Sequence, residues 1–369
     1  MLDSNLKNLK KRKKDHLRIA LSEDAQIGDA GFSRYRFIHN ALPETDFDKI
    51  DTSTTFLGKK VNFPFFISGM TGGFDEGARI NQNLAKAAQK FRIAIGVGSQ
   101  RVALKAEDLV KTFAVRKYAP SVPLFANLGL VQLNKGYGLK ECERAVKMVE
   151  ADALVFHLNP VQEAIQPEGD RNFSGLLVKL EKIVKKLTVP VIIKEVGFGL
   201  SYDVVKRLYG VGVRMFDTAG WGGTNWAYIE GRRRSVFTRL APAQRLQRHA
   251  VGEARVDLGE LFSQWGIPTP ESIRMCSKFE SELITNNQQP ITILGSGGVR
   301  TGVDVAKALC LGADLAGIAA PFAKAAMIST REVERLINRF GLELKIAMFG
   351  VGAKNISKLK KESLTLNDF

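Results

Sequence analysis

From residue 64 onward, short apolar runs alternate with longer amphipathic stretches. The runs lie at 64–70, 93–97, 124–128, 153–159, 189–196, 213–218, 290–296 and 315–320, rich in Val, Ile, Leu or Phe without strict polar alternation. Strands buried on both faces of a parallel sheet have this pattern. Helical periodicity fills the intervals, as at 141–150 and 303–311. Most runs start roughly 24–36 residues apart, the length of one βα unit. Eight units predict an α/β fold of the (β/α)₈ TIM-barrel type. A doubly wound sheet is the alternative, but a dinucleotide fingerprint is missing: Thr71, Gly72 and Gly73 follow the first run, and no Walker A pattern occurs.

Three segments depart from the rhythm. The sixth and seventh runs start at 213 and 290, which leaves roughly 45–50 residues beyond a standard unit. An insertion is therefore expected at about 222–268, on the face where a barrel carries its catalytic loops. Residues 1–63 precede the barrel as a basic arm followed by a hairpin with Gly58 in its turn. Residues 64–350 form the barrel, and 351–369 a polar tail expected to be mobile.

Composition changes this picture little, and charge changes it more. No apolar run reaches the roughly 20 residues that span a bilayer, and the first residues lack the apolar core of a secretory signal. Cys142, Cys276 and Cys310 are few and widely spaced, as in a reducing, cytoplasmic setting. The formal net charge is +16. Residues 1–18 hold seven Lys/Arg against two Asp, and residues 231–256 hold seven Arg against one Glu. Nucleic acid, an anionic membrane and an anionic small molecule all suit such a balance. The basic arm lacks interleaved aromatics, and no helix-turn-helix, zinc-finger or RNP pattern is present, which disfavours nucleic acid.

In a barrel the chemistry sits where strands end. There the sequence places Thr71, Ser99, Arg101, Asn127, His157, Asn159, Gln162, Glu163, Lys194 and Thr218. The run G-S-G-G-V-R-T-G at 295–302 follows the seventh strand and precedes a helix. Glycines let backbone N–H groups approach a phosphate, and a helix N-terminus favours an anion; a tight βα turn would use the same residues. His157, Asn159 and Gln162 suit hydrogen bonds to an anion, leaving Glu163 for a hard cation such as Mg²⁺. Lys194 either neutralises an anionic cofactor, forms a Schiff base, or pairs with a strand-end carboxylate. Trp226 lines an apolar pocket or packs beneath the insertion.

Taken in order, Arg12-Lys13-x-Asp-His16, M-T-G-G at 70–73, G-S-Q-R at 98–101, H-L-N-P-V-Q-E at 157–163, G-G-T-N-W at 222–226 and G-S-G-G-V-R at 295–300 resemble the type 2 isopentenyl-diphosphate isomerases. The resemblance runs from about residue 12 to residue 350. It implies an FMN-dependent barrel, a cytoplasmic homo-oligomer (tetramer or octamer), that interconverts isopentenyl and dimethylallyl diphosphates in isoprenoid biosynthesis. It further implies Mg²⁺, FMN active in its reduced form, NADPH as reductant, and neither nucleic-acid nor membrane partners.

By the same resemblance, FMN contacts Met70, Thr71, Gly72, Ser99, Asn127, Lys194, Thr218 and Thr224, with its phosphate at Gly297, Gly298, Arg300, Ala319 and Ala320. The substrate meets Arg12, Lys13, Ser99, Arg101, His157, Asn159, Gln162 and Trp226, with Glu163 on the metal. His16, Gln162 and Glu230 surround the reacting end as catalytic residues. Trp221 departs from the family pattern, and nothing transfers to the Arg-rich stretch. A 2-hydroxy-acid oxidase on the same barrel would want a His base after strand six, where only His249 occurs. An IMP-dehydrogenase-like reaction would want a loop cysteine, and all three fall in or near helical stretches.

Overall fold

The computed structural model describes residues 2–22, 25, 26, 28–239 and 257–366. The remainder of the Arg-rich stretch, with His249, lies outside the described residues. Eight parallel strands close into a barrel: β1 (Phe65–Ile67), β2 (Ala94–Gly96), β3 (Leu124–Gly129), β4 (Ala153–His157), β5 (Val191–Lys194), β6 (Met215–Asp217), β7 (Thr292–Ser296) and β8 (Leu315–Ile318). Each pairs with its sequence neighbours, and β8 pairs with β1 through Gly317 and Phe66. The apolar runs overshoot most of the strands by a few residues. The ladder ends where chains diverge around the mouth, so Asn159 and Val196 belong to loops.

Apolar residues on both faces of these strands build two layers. One lies between strands and helices and holds Ile67, Ile95, Leu154, Ile193, Phe216 and Ile293, all at most 1% exposed. The other fills the barrel and joins Phe66, Phe125, Ile192, Met215 and Leu294 to Phe56 and Val61 of the hairpin. That hairpin (Thr54–Phe56 with Lys59–Val61) turns through Gly58 at φ 71°, an unstrained value only for glycine. Phe56 meets Phe125 edge-on at 5.8 Å, so the hairpin stoppers the end of the barrel opposite the active face.

The C-terminal segment is not the mobile tail its polarity suggests. Ile356 and Leu359 of a short helix are buried, and Leu364–Leu366 pairs antiparallel with Tyr35–Phe37. A few apolar residues at the right spacing outweigh the charged residues between them.

Over the open mouth lies α1 (Leu2–Ala20). Its last turn buries Ile19 against Tyr228 and Ile229 of a helix that follows β6, so the arm closes over the barrel of its own chain. Four further helices frame the mouth: α2 (Pro160–Ile165), α3 (Trp226–Arg239), α4 (Gly302–Cys310) and α5 (Ala320–Ile328). No helix among the described residues is long and apolar enough to cross a membrane.

Candidate active site

A cavity of about 250 Å³ opens at the C-terminal ends of the strands and is roofed by α1. Its walls differ in chemistry from one end to the other. At the β7–β8 end the lining is Ser296, Gly297, Gly298, Val299, Gly317, Ala319 and Ala320. Gly297 and Gly298 have φ of 108° and 70°. A Cβ on either would lie 2.3–2.4 Å from the carbonyl oxygens of Gly220 and Gly222. Glycine is thus demanded by the packing of one strand-end loop on the next, before any ligand is considered.

What favours an anion here is the set of unused donors. The N–H groups of Gly297, Gly298 and Val299 reach no acceptor among the described residues. The first helix after the glycine run does not add to them: in α4, Asp304 turns back onto the N–H groups of Arg300 and Thr301, and Glu343 takes that of Gly302. This corrects the expectation that the following helix supplies the positive end, because that end already carries carboxylates. It is α5 that begins uncapped, at Ala319 and Ala320 on the cavity wall, and so leaves its first N–H groups for a ligand.

Along the floor, Lys194 ends β5 and places Nζ 3.5 Å from Asp217 and 2.9 Å from the Glu195 carbonyl. Asp217, on β6, also accepts from Ser296 Oγ. Of the alternatives for Lys194, pairing with a strand-end carboxylate is realised, through Asp217 and not Glu195. Burial raises the Asp217 carboxyl and the Lys194 charge opposes that rise. Glu195 instead accepts from its own loop at Val196 N and Phe198 N, both 2.6 Å, while burial drives it up to about 7. Met70, Thr71, Ser99, Asn127 and Thr224 line the cavity, as does Arg300, whose guanidinium is tied to Gln26. Gly72 and Thr218 do not line it. The Gly72 carbonyl takes Lys13 Nζ, and the Thr218 hydroxyl bonds the Ser296 backbone. Ala219 lines the wall in Thr218's place.

The opposite end is ionic. Arg12, Lys13 and His16 of α1 face Arg101, His157, Asn159, Gln162 and Glu163. Lys13 Nζ donates to the carbonyls of Gly72 (2.7 Å) and Ser99 (3.0 Å) above the Phe113 ring. Burial and the neighbouring Arg12 charge bring it down to about 7. Arg101 pairs with Asp170 at 2.9 Å, and Asp170 also takes Gln132 and Lys135. Burial and the charges of Lys194, Arg101 and Lys13 bring His157 down to about 4, so it is neutral. Its Nδ1 is 2.9 Å from Asn127 Oδ1. An amide oxygen only accepts, so Nδ1 carries the proton and Nε2 presents a lone pair. His157 therefore donates to an anion through Nε2 only after taking up a proton, which revises the simple donor role expected of it.

Asn159 donates to Gln162 Oε1 and Glu163 Oε1, both at 3.0 Å, and Glu163 Oε2 accepts from Asp170 N at 2.6 Å. Asn159 Oδ1 is buried without a partner, as are Arg12 Nε, Arg101 Nε and Ser68 Oγ. Buried polar atoms rarely stay unpaired in a complete site. All four belong to residues that line the cavity.

Behind this wall sits Glu230, fully buried and not itself lining the cavity. Its Oε1 lies 2.8 Å from His16 Nε2 and 3.2 Å from Gln162 Nε2; Arg233 Nε donates to Oε2 at 2.7 Å. Burial alone would raise this carboxyl, yet His16 and Arg233 outweigh it and bring it down to about 2. Trp226 meets the His16 ring edge-on, centroids 5.2 Å apart, and lines the cavity. Trp221 instead covers Gly28 and donates to Ser263 O at 2.7 Å, away from the lining.

The structure thus brings most of the predicted residues to one cavity. It adds Ser68 and Gln166 to the lining, and behind it Asp170, Asp217 and Arg233 as partners of other site residues. Ser68 was hidden as the single polar residue of an apolar run, and Asp217 as the one carboxylate of the run at 213–218. Gln166 and Asp170 carried no local signal, and Arg233 only that of the Arg-rich stretch around it. The three cysteines are free, and burial pushes each thiol up to about 12, so none is a ready thiolate for an IMP-dehydrogenase-like step.

Unpaired N–H groups at the ends of strands seven and eight, beside a polar barrel mouth, define a (β/α)₈ barrel suited to an anionic ligand. The family described as FMN-dependent dehydrogenase matches residues 19–125 and 269–366 of this chain. Solved structures of a mandelate oxidase variant (TM-score 0.62, 16% identity, 97% of this chain and 99% of that one) and a flavocytochrome b2 variant (0.61, 21%, 91% and 77%) share the fold. Isopentenyl-diphosphate delta-isomerases from a Nostoc species and Paracoccus zeaxanthinifaciens are 47% and 45% identical to the chain, covering 95% and 98% of it and 93% and 99% of their own lengths. The chain belongs to the isopentenyl-diphosphate delta-isomerase family, on the FMN-dependent barrel, and is an isomerase.

Proposed function

We propose that this protein converts isopentenyl diphosphate to dimethylallyl diphosphate by a 1,3-allylic proton rearrangement, with reduced FMN and Mg²⁺ bound. The observation that carries the reading is the two-ended cavity: a neutral N–H cradle at β7–β8 and a cationic pole beneath α1, with Trp226 between polar neighbours. The unpaired N–H groups of Gly297, Gly298 and Val299, with Lys194, would hold a flavin mononucleotide. When bound and reduced by NADPH, FMN supplies an electron-rich ring and a nitrogen able to carry a proton. Glu163 and the unpartnered Asn159 Oδ1 fit a Mg²⁺ that takes its other ligands from diphosphate oxygens and water.

The chain's own residues then divide the work. Arg12, Lys13 and Arg101 neutralise the diphosphate. Trp226 covers the hydrocarbon end and excludes water. Gln162 is held from both sides, accepting from Asn159 and donating to Glu230, which leaves its second amide hydrogen for the cavity. An amide is no base at neutral pH. Gln162 therefore serves to orient, while the ionised Glu230 with His16 forms the nearest buried proton-holding pair. We place the protein in the cytoplasm as a homo-oligomer without membrane or nucleic-acid partners; the free cysteines suit that compartment.

The test is direct. Purified protein should be yellow, bleach with NADPH under anaerobic conditions, and then turn over isopentenyl diphosphate only with Mg²⁺ present. A colourless protein that cannot be reconstituted with FMN would defeat the reading.

A further inference from the structure

We propose that Arg233, inside the Arg-rich insertion, is a positioning residue that latches α1 over the cavity and orients Gln162. The inference rests on the isomerase reading for its substrate and on geometry for the rest. Arg233 is 6% exposed, within a stretch whose sequence is strongly basic. Its guanidinium divides between two carboxylates: Nε to Glu230 at 2.7 Å, and Nη2 to Glu168 at 2.8 Å. Each carboxylate reaches α1 in turn. Glu230 holds His16 at 2.8 Å, and Glu168 lies 3.7 Å from Arg12. Arg12 and His16 are four residues apart, hence on one face of the helix.

Gln166 closes the ring. With its amide oriented to satisfy both neighbours, it donates to Glu230 at 2.9 Å and accepts from Arg12 Nη1 at 3.1 Å. One planar fork thus ties α3, the loop after α2, and two residues of α1 that face the substrate. Lysine lacks the geometry to hold two carboxylates in this way. Glu168 is half exposed and Glu230 fully buried. The Glu168 branch is therefore the weaker one and acts on the grip of Arg12, while the Glu230 branch acts on Gln162 and His16.

The two branches predict separable kinetics in the FMN-loaded enzyme. Glu168→Gln should raise KM a few-fold, roughly three- to fivefold, with kcat unchanged. Arg233→Ala should raise KM about tenfold and lower kcat about tenfold or more, because it removes both branches. Among the described residues, the charged groups acting on Glu230 are His16 and Arg12 from α1 and Arg233 from its own helix; Glu168, from the loop after α2, shares Arg233 with it. Loss of Arg233 takes away one cation holding Glu230 ionised, so the acid limb of kcat/KM should move to higher pH. Arg233→Lys should recover one parameter better than the other.

If Arg233→Ala does not fold, Glu168→Gln and Arg233→Lys decide the matter. Wild-type turnover is measured first, so failure of the isomerase reading is seen separately. In that event, tryptic cleavage within α1 and inorganic pyrophosphate affinity by calorimetry read the latch alone. Wild-type KM, kcat and acid limb in all three variants, or in that event unchanged cleavage and affinity, would overturn the proposal.

Discussion

The two ends of the cavity present hydrogen-bond donors by opposite means. The β7–β8 end carries unpaired backbone N–H groups and one uncapped helix start. The α1 end carries Arg12, Lys13, Arg101 and Arg233, nearly all already held by Glu168, Asp170 or Glu230. A backbone cradle is rigid and charge-neutral, which suits a resident cofactor. Side-chain cations held by carboxylates on a closing helix can open and re-form, which suits a substrate that comes and goes. The difference also explains why net charge was a blunt guide: the N–H groups at the β7–β8 end favour an anion without any charged side chain.

The sharpest break in this comparison is Glu230→Gln. If the α1 end does the chemistry, kcat should fall by about 100-fold or more, with flavin content and KM far less affected; steady-state kinetics on FMN-loaded protein decide it. Next comes the cofactor end, through Gly298→Ala. The new Cβ would lie 2.4 Å from Gly222 O at a φ of 70°, which costs about 2–3 kcal/mol. FMN retention and Tm should both drop while pyrophosphate binding by the flavin-free protein changes less. If only substrate KM responds, the assignment of the two ends is wrong.

Arg101→Ala should raise KM about tenfold with flavin affinity intact. Asp170 keeps Lys135 and Gln132 as partners, so the fold should hold. The smallest effect concerns Lys13. It is charged below about pH 7 and neutral above, so KM for the diphosphate should rise about threefold as pH climbs through 7. Stability moves the other way. Between about 7 and the unfolded value of 10.5 the unfolded chain holds the extra proton, so this group's contribution to stability grows with pH. Lys13→Met should flatten both dependences, measured by pH-dependent kinetics and by thermal melts.

Much of this architecture was legible beforehand. Eight apolar runs at βα spacing became eight parallel strands in sequence order, and Gly58 turned the hairpin as expected. Strand-end reading found His157, Asn159, Gln162, Glu163 and Lys194 because a polar residue after a buried run stands out. The tail failed this test, since a mostly charged segment hides the two or three apolar residues that anchor it. Asp217 failed it too, being one carboxylate within an apolar strand.

What the sequence determined by itself was local and periodic: strand number, strand order, the glycine turn, and the family motifs. Those follow from burial patterns and backbone sterics, which nearest neighbours along the chain already decide. Partnership was left to the tertiary structure. Only the fold shows that the glycines at 297 and 298 answer to Gly220 and Gly222, that α4 is capped and α5 is not, and that Glu230 lies behind Gln162. Only the fold places Arg233 between Glu168 and Glu230. Charges and donors acquire meaning from what faces them, and residues more than sixty positions apart along the chain (Glu168 and Arg233) face each other only once the barrel has closed.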